Sequence, residues 1–406
     1  MRVSTSRPFN KWNVRAFQLA LVLAIGFTVS SLSAQDSTSD SDRESFDQAK
    51  VVRAIYDATK TAKTVKEFTA FLTQCENALA AELSPENRSY VVSLKGWGLN
   101  RRGEKRFEMA VQLKRIENNQ HESVMKLAME DFDAALIAAP ERVRSWMSRG
   151  IAHVENNNLD NAILDFTKVT KLKADEANGW FNRAEILYQK GNFDAAIQDY
   201  DVVLRLNSTD AQALTGRGLA AFAKGEFDKA LSDFDQVVRS HPKNDSAFIN
   251  RGDAYQGLGK WKLAQSDYEQ AIEIRESGAA YQRCAWLKAT CPDPKLRDAH
   301  TARKMVDRAI ALAGYSASNL DTLAAAEAAN GDFDSAKTTQ QKVIGLVNAE
   351  EDEQSEQFQA RLLLYEKSEP FVQLIGSDAN GNLEANADAE SPEKKQTDRD
   401  SKSDQR

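Results

Sequence analysis

Residues 143–176 read VRSWMSRGIAHVENNNLDNAILDFTKVTKLKADE. The next three stretches, ANGWFNRAEILYQKGNFDAAIQDYDVVLRLNSTD (177–210), AQALTGRGLAAFAKGEFDKALSDFDQVVRSHPKN (211–244) and DSAFINRGDAYQGLGKWKLAQSDYEQAIEIRESG (245–278), align with it at a spacing of 34 without a gap. The fourth position of each is large (Trp146, Trp180, Leu214, Phe248), and so is the twenty-fourth (Phe166, Tyr200, Phe234, Tyr268). The eighth is small (Gly150, Ala184, Gly218, Gly252), and the twentieth is always Ala (Ala162, Ala196, Ala230, Ala264). Bulky residues in the first two columns fill the space between two antiparallel helices, and small residues in the other two let the helix axes approach. Between the helices, Asn157, Gly191, Gly225 and Gly259 can take the left-handed conformation that ends a helix and turns the chain. The pattern predicts one helix pair per 34 residues, stacked as an array instead of folded around a single core.

Working outward, the period decays. Ala128, Phe132, Ala135 and Pro140 suit a second helix whose partner contains Gly96, Leu99 and Gly103, with an insertion near Glu104 to Val124 between them. Phe46 to Leu83 reads as one more irregular pair, so residues 46–125 form an irregular N-terminal part and 126–349 the repeat array. Within the array Tyr281 to Ala313 carries Pro292 and Pro294 between its helices, where neither can continue a helix. Leu320, Leu323, Ala324, Gly331, Ala336 and Val343 give a weaker last repeat, and residues 350–375 hold the polar-faced capping helix that an array end requires.

The two ends have other grammars. Arg2, Arg7, Lys11 and Arg15 precede an uncharged apolar run from Ala16 to Val29 and the small residues Ser30 to Ala34, as in a secretory signal over 1–34. The chain is therefore expected to be exported, periplasmic or extracellular. Anchoring in the cytoplasmic membrane by an uncleaved signal is the alternative, since the run is shorter than the ~20 residues that span a bilayer. A polar linker follows over 35–45, and residues 376–406, with one Leu and no aromatic, read as a disordered charged tail.

The 53 basic and 60 acidic residues, net charge -7, leave no basic face for nucleic acid. Cys75, Cys284 and Cys291 are not the even set of a disulfide scaffold. His121, His153, His241 and His300 stand in unrelated contexts, and no glycine loop suited to phosphate appears. No metal, no cofactor and no catalytic residue is expected.

The columns Trp-x3-Gly, Ala-x3-Phe/Tyr and the inter-repeat Pro140 and Pro242 resemble tetratricopeptide repeats. The C-terminal stretch around Asn319 to Ala324 and Arg361 to Tyr365 is similar to a group of exported bacterial proteins of that kind. The resemblance implies an all-α fold, a right-handed superhelical solenoid of helix pairs, with a groove lined by the first helices. Carried over position by position, it implies groove residues Met147, Ile151 and Val154, then Phe181, Glu185 and Tyr188. The third and fourth repeats add Thr215, Leu219 and Phe222, then Ile249, Asp253 and Gln256. Asn182 and Asn250 match the asparagine with which the family clamps a terminal carboxylate, but the basic partners of that clamp are missing. The two remain candidates for bonding a peptide backbone. Either this strip is open to a peptide, or the N-terminal helices or the 104–124 insertion cover it.

One column departs from the family. The seventh position carries Arg149, Arg183, Arg217, Arg251 and Arg283, and the twenty-third Asp131, Asp165, Asp199, Asp233 and Asp267. Pairing each Asp with the Arg of the following repeat, at separations of 18, 18, 18, 18 and 16, accounts for all ten, so inter-repeat salt bridges are expected. The function expected is non-catalytic binding of a protein or peptide outside the cytoplasm. Two alternatives stand beside it: an accessory subunit of an envelope assembly or secretion complex, and a small-molecule or polymer-binding accessory to an enzyme.

Overall fold

A computed structural model of the chain describes residues 40–347 and 353–373. The expected signal over 1–34 and the expected tail over 376–406 lie outside the described residues. Among the described residues there are α-helices and no strands, in two compact units that divide between Gln189 and Lys190.

The first unit contains α1 (Asp40–Thr61), α2 (Val65–Ala80), α3 (Pro85–Arg115), α4 (His121–Ala138), α5 (Val143–Glu155), α6 (Leu159–Leu172) and α7 (Ala177–Gln189). The second contains α8 (Phe193–Leu206), α9 (Ala211–Ala223), α10 (Phe227–Ser240), α11 (Asp245–Gly257), α12 (Trp261–Ile274) and α13 (Gly278–Thr290). It continues through α14 (Ala299–Ala313), α15 (Ala317–Ala329), α16 (Phe333–Leu346) and α17 (Glu353–Glu366). No described helix is long and apolar enough to cross a membrane. The expected linker is shorter than its sequence suggests, because α1 already begins at Asp40.

The 34-residue columns act as their chemistry requires. Asn157, Gly191, Gly225 and Gly259 all have positive φ, between 56° and 76°, at the turn inside each pair. A Cβ on Gly150, Gly218 or Gly252 would stand 2.7, 2.6 and 2.6 Å from the ring of Phe166, Phe234 or Tyr268. Those three rings are fully buried, so each small-large pair sets how closely its two helices pack. Beside them, the indole N–H of Trp146 donates to Pro140 O at 2.7 Å and that of Trp180 to Ala174 O at 2.9 Å, tying each first helix to the turn before it.

In the N-terminal part, a reciprocal cap between Thr64 and Glu67 starts α2, and Ser84 followed by Pro85 starts α3. Phe68 and Phe71 meet Trp97 edge-on at 5.8 and 5.6 Å in the core of this part. The insertion is not a separate segment. α3 runs on through it to Arg115, turns at Glu117 with φ 53°, and returns as α4 from His121. Strong helix formers in EKRFEMAVQLKR carry the helix on where a shorter repeat would have turned. The extension lies alongside α5: Glu104 accepts from Arg144 Nε at 2.7 Å and Nη2 at 3.1 Å and from the Ser148 hydroxyl at 3.1 Å, and Lys114 reaches Glu155 at 2.9 Å.

The charged columns pair in a different register from the one expected. Arg149 donates through Nε and Nη2 to Asp165 at 2.9 and 2.7 Å, Arg217 to Asp233 at 2.9 and 2.6 Å, and Arg251 to Asp267 at 2.7 Å twice. These pairs lie within one repeat, 16 residues apart, because the seventh and twenty-third positions flank the Gly–ring contact of the eighth and twenty-fourth and face each other across the helix pair. The remaining Nη1 reaches back to the preceding repeat, to Asp133, Asp201 and Asp235 at 2.7, 2.6 and 2.8 Å. Arg183 meets Thr167 in that same column at 3.0 Å. At the two ends, Asp131 accepts from Arg102 and Arg106 of α3, and Arg283 donates to Asp253 at 3.2 Å. The aspartates' hydrogen bonds hold the guanidinium groups of Arg149, Arg217 and Arg251 protonated above their ordinary range. Arg149 also stacks 5.0 Å over Trp146, and Arg251 5.4 Å over Phe248, a combination that only the planar guanidinium supplies.

Candidate functional site

The expected groove positions lie on the first helices, α5 and α7 in the first unit and α9 and α11 in the second. In the first unit Ile151, Val154, Phe181, Glu185 and Tyr188 are half-buried. Met147 is buried, and so is Asn182, whose amide donates to the Met147 sulfur at 3.4 Å. Asn182 is thus committed to packing and does not present its amide to a peptide, a correction to the family-based expectation. The chain's other such asparagine, Asn250, is half-buried.

In the second unit the strip divides. On α9, Thr215, Leu219 and Phe222 are half-buried, and the Phe222 ring meets Phe227 edge-on at 5.2 Å. On α11, Ile249 is buried against Ala271 and Ala280. Asp253 and Gln256 are drawn into an internal network, with the Tyr268 hydroxyl donating to Asp253 at 2.7 Å and lying 3.2 Å from Gln256 Oε1. Burial pushes the Asp253 carboxyl above its ordinary range despite Arg283 beside it, and pushes the Tyr268 phenol well up. Asp253 is therefore an interior acceptor and not an open anchor.

The cover over this part of the face is neither of those expected. α1 and α2 pack on α3, and the insertion lies beside α5. What seats itself on α11 and α13 is the chain's own stretch from Phe371 to Gln373. After α17 the chain turns at Ser368, φ 59°, and Phe371 packs on Trp286 with ring centroids 5.7 Å apart. Gln373 is fully buried: its side-chain oxygen accepts from Gln256 Nε2 at 3.0 Å and Trp286 Nε1 at 3.2 Å. Its backbone N–H donates to Thr290 O at 2.9 Å. Arg361 supports the whole arrangement. Only 2% exposed, it donates to Asp321 at 2.9 Å and stands 5.2 to 5.4 Å from the rings of Trp286, Phe358 and Phe371. Gln340 Nε2 donates to the same Asp321 oxygen at 2.9 Å, so the buried charge pair is braced by a neutral donor.

Trp286, Arg361 and Gln373 are absent from the residues read out of the repeat columns. Arg361 had a signal in the sequence: it shares a helix face with Phe358 and Tyr365, and an arginine in an apolar stripe needs a buried partner. Gln373 had only an indirect one: it stands in the short apolar run from Phe371 to Ile375, which marks a packed segment without naming the partners of the amide.

Family models described as tetratricopeptide repeat match residues 127–177, 154–211, 181–245 and 245–277. No curated protein sequence matches the chain. Among solved structures it is similar to pilF of Pseudomonas aeruginosa, at 17% identity over 54% of this chain and 98% of that one, TM-score 0.44. Yeast Tom70 matches at 17% identity over 83% of this chain and 66% of that one, TM-score 0.42. YrrB, described as a repeat protein of the same kind with an unusual peptide-binding site, matches at 20% identity over 47% and 88%, TM-score 0.36. With the 34-residue period, the helix pairs and the column contacts in place, residues 127–277 of this chain are tetratricopeptide repeats.

Proposed function

We propose that this protein is a non-catalytic scaffold that acts outside the cytoplasm and binds extended segments of other proteins along the face of its first helices. The observation that carries the reading is the seating of residues 371–373 on α11 and α13. A side-chain amide, an aromatic ring and a backbone N–H of that stretch find matched partners there, as an external peptide would. On α9, Leu219 and Phe222 keep part of their apolar surface in water, and covering it would add to affinity. Export rests on the basic, apolar and small-residue order of residues 1–34.

The test is a photoreactive residue at position 222, with one at Ile137, which lies 85% exposed on α4, as control. Crosslinking of a defined partner from position 222 and not from 137 supports the reading. Equal labelling at both positions removes it.

A further inference from the structure

We infer that the surface formed by α11, α13 and α17 is a recognition site for an aromatic-x-glutamine segment. In this chain Phe371 and Gln373 occupy it in cis, and a partner protein bearing the same pattern takes it by exchange. The inference deepens the scaffold reading, on which it rests, by naming the peptide chemistry.

Three features make this a reading site and not merely a place where a chain end packs. The first is polarity. Two N–H donors, from Gln256 and Trp286, converge on one carbonyl oxygen in a fully buried position. An aliphatic side chain there would leave both donors without an acceptor, and a carboxylate would bury a charge, so the nook selects a side-chain amide. The second is the aromatic shelf, where Arg361 and Trp286 present a guanidinium and an indole face to the residue two positions earlier. The third is the backbone bond to Thr290 O, which fixes the register that puts ring and amide in their places.

The segment is also built to leave. It is joined to α17 through Lys367 to Pro370, all four exposed, and Ser368 is held at positive φ. The helices that receive it also pack on one another: Trp286 lies in a core with Val306, Leu320 and Val343, against which Phe371 rests, and Tyr268 lies with Cys284 and Leu287. Release therefore exposes a formed site at the cost of a few contacts. A cis segment on a short tether competes at high local concentration, so a partner succeeds only by matching both the ring and the amide.

The experiment uses the full chain carrying Phe371→Ala and Gln373→Ala, with a fluorescent peptide of residues 366–376 (EKSEPFVQLIG) as probe and EKSEPAVALIG as control. The variant should bind the probe saturably, about tenfold or more tighter than the control peptide and than the wild-type chain binds the probe. Adding Gln256→Ala should remove that preference. A variant with the wild-type helical circular-dichroism signal that does not distinguish the two peptides overturns the inference. It leaves the crosslink at position 222 on α9 as a separate test of the scaffold reading. Should the variant lose its fold, hydrogen exchange on the wild-type chain decides: the Gln373 amide should exchange about tenfold or more faster than that of Leu287 in α13. Equal protection would mean a permanently docked end and would overturn the inference, as would a wild-type dimer in which the segments are swapped between copies.

Discussion

Arg217 grips Asp233 through two parallel N–H···O bonds, of 2.9 and 2.6 Å, while its third nitrogen holds Asp201 of the preceding repeat at 2.6 Å. The two carboxylates are not equivalent, since Asp233 is 5% exposed and Asp201 40%. Asp233→Asn should cost about 2–3 kcal/mol, because it leaves a half-buried guanidinium with a lesser partner. Asp201→Asn should cost under about 1 kcal/mol. Urea unfolding of both variants checks the ratio, and equal costs would show that burial does not set the strength of these pairs.

Glycines at three positions should respond to alanine in opposite senses. Gly218→Ala drives a methyl to 2.6 Å from the buried Phe234 ring and should destabilise by about 1–3 kcal/mol. Gly191→Ala meets no atom, yet φ is 76° there, so the cost is backbone strain of about 1 kcal/mol. Gly345→Ala, in open space inside α16, should stabilise by about 0.5–1 kcal/mol. Thermal melts order the three.

The carboxylates predict two pH responses of opposite sign. Burial alone would raise Glu104, but Arg144, Arg101 and Ser148 outweigh it and hold the group below its ordinary 4.5. A depressed acid contributes stability that is present above its unfolded pKa and lost as pH falls through the folded one. Glu104→Gln should therefore flatten the stability-versus-pH curve of the chain below about pH 4.5. Burial raises Asp253, Asp267 and Glu327. For these the folded state binds the proton more tightly, so they add stability as pH falls through their folded pKa values toward the ordinary carboxylate range. A curve that falls more steeply for Glu104→Gln than for wild type would contradict the first assignment.

All three thiols are free and buried, and burial pushes Cys75 and Cys284 up to about 12 and Cys291 above its ordinary range. Titration with a thiol reagent at pH 8 should find no fast-reacting group in the native chain and three after denaturation. A fast native thiol would mean that one of these helices opens.

The repeats were legible because four copies of one pattern, each column with its own steric reason, leave little freedom in the fold. The register of the charge columns was not. An Arg–Asp alternation satisfies separations of 16 and 18 equally well on paper, and the choice turned on Arg283, which goes instead to Asp253, thirty residues earlier. Only the contact of Gly218 with Phe234, or its counterparts, shows which columns face each other. The insertion was misread for a related reason: a helix that outruns its repeat has no periodic partner to announce it. The expected groove positions fall on the first helices of their pairs, but their exposure depends on what covers them. The covering residues, Phe371 and Gln373, lie in a short apolar run just before the polar tail, where composition signals packing but not the seat it takes.

Gln256 and Gln373 are 117 residues apart, in a chain whose most extensive helix contacts join elements close together in sequence. At translation rates of about 5–20 residues per second, α11 is complete roughly 6–25 s before its last partner is made. Through the later part of that interval the nascent protein carries the α11 and α13 part of the seat unfilled, and closing so long a loop comes late for the entropic reason that slows all distant pairings. The newborn molecule thus passes through a receptive stage before it closes.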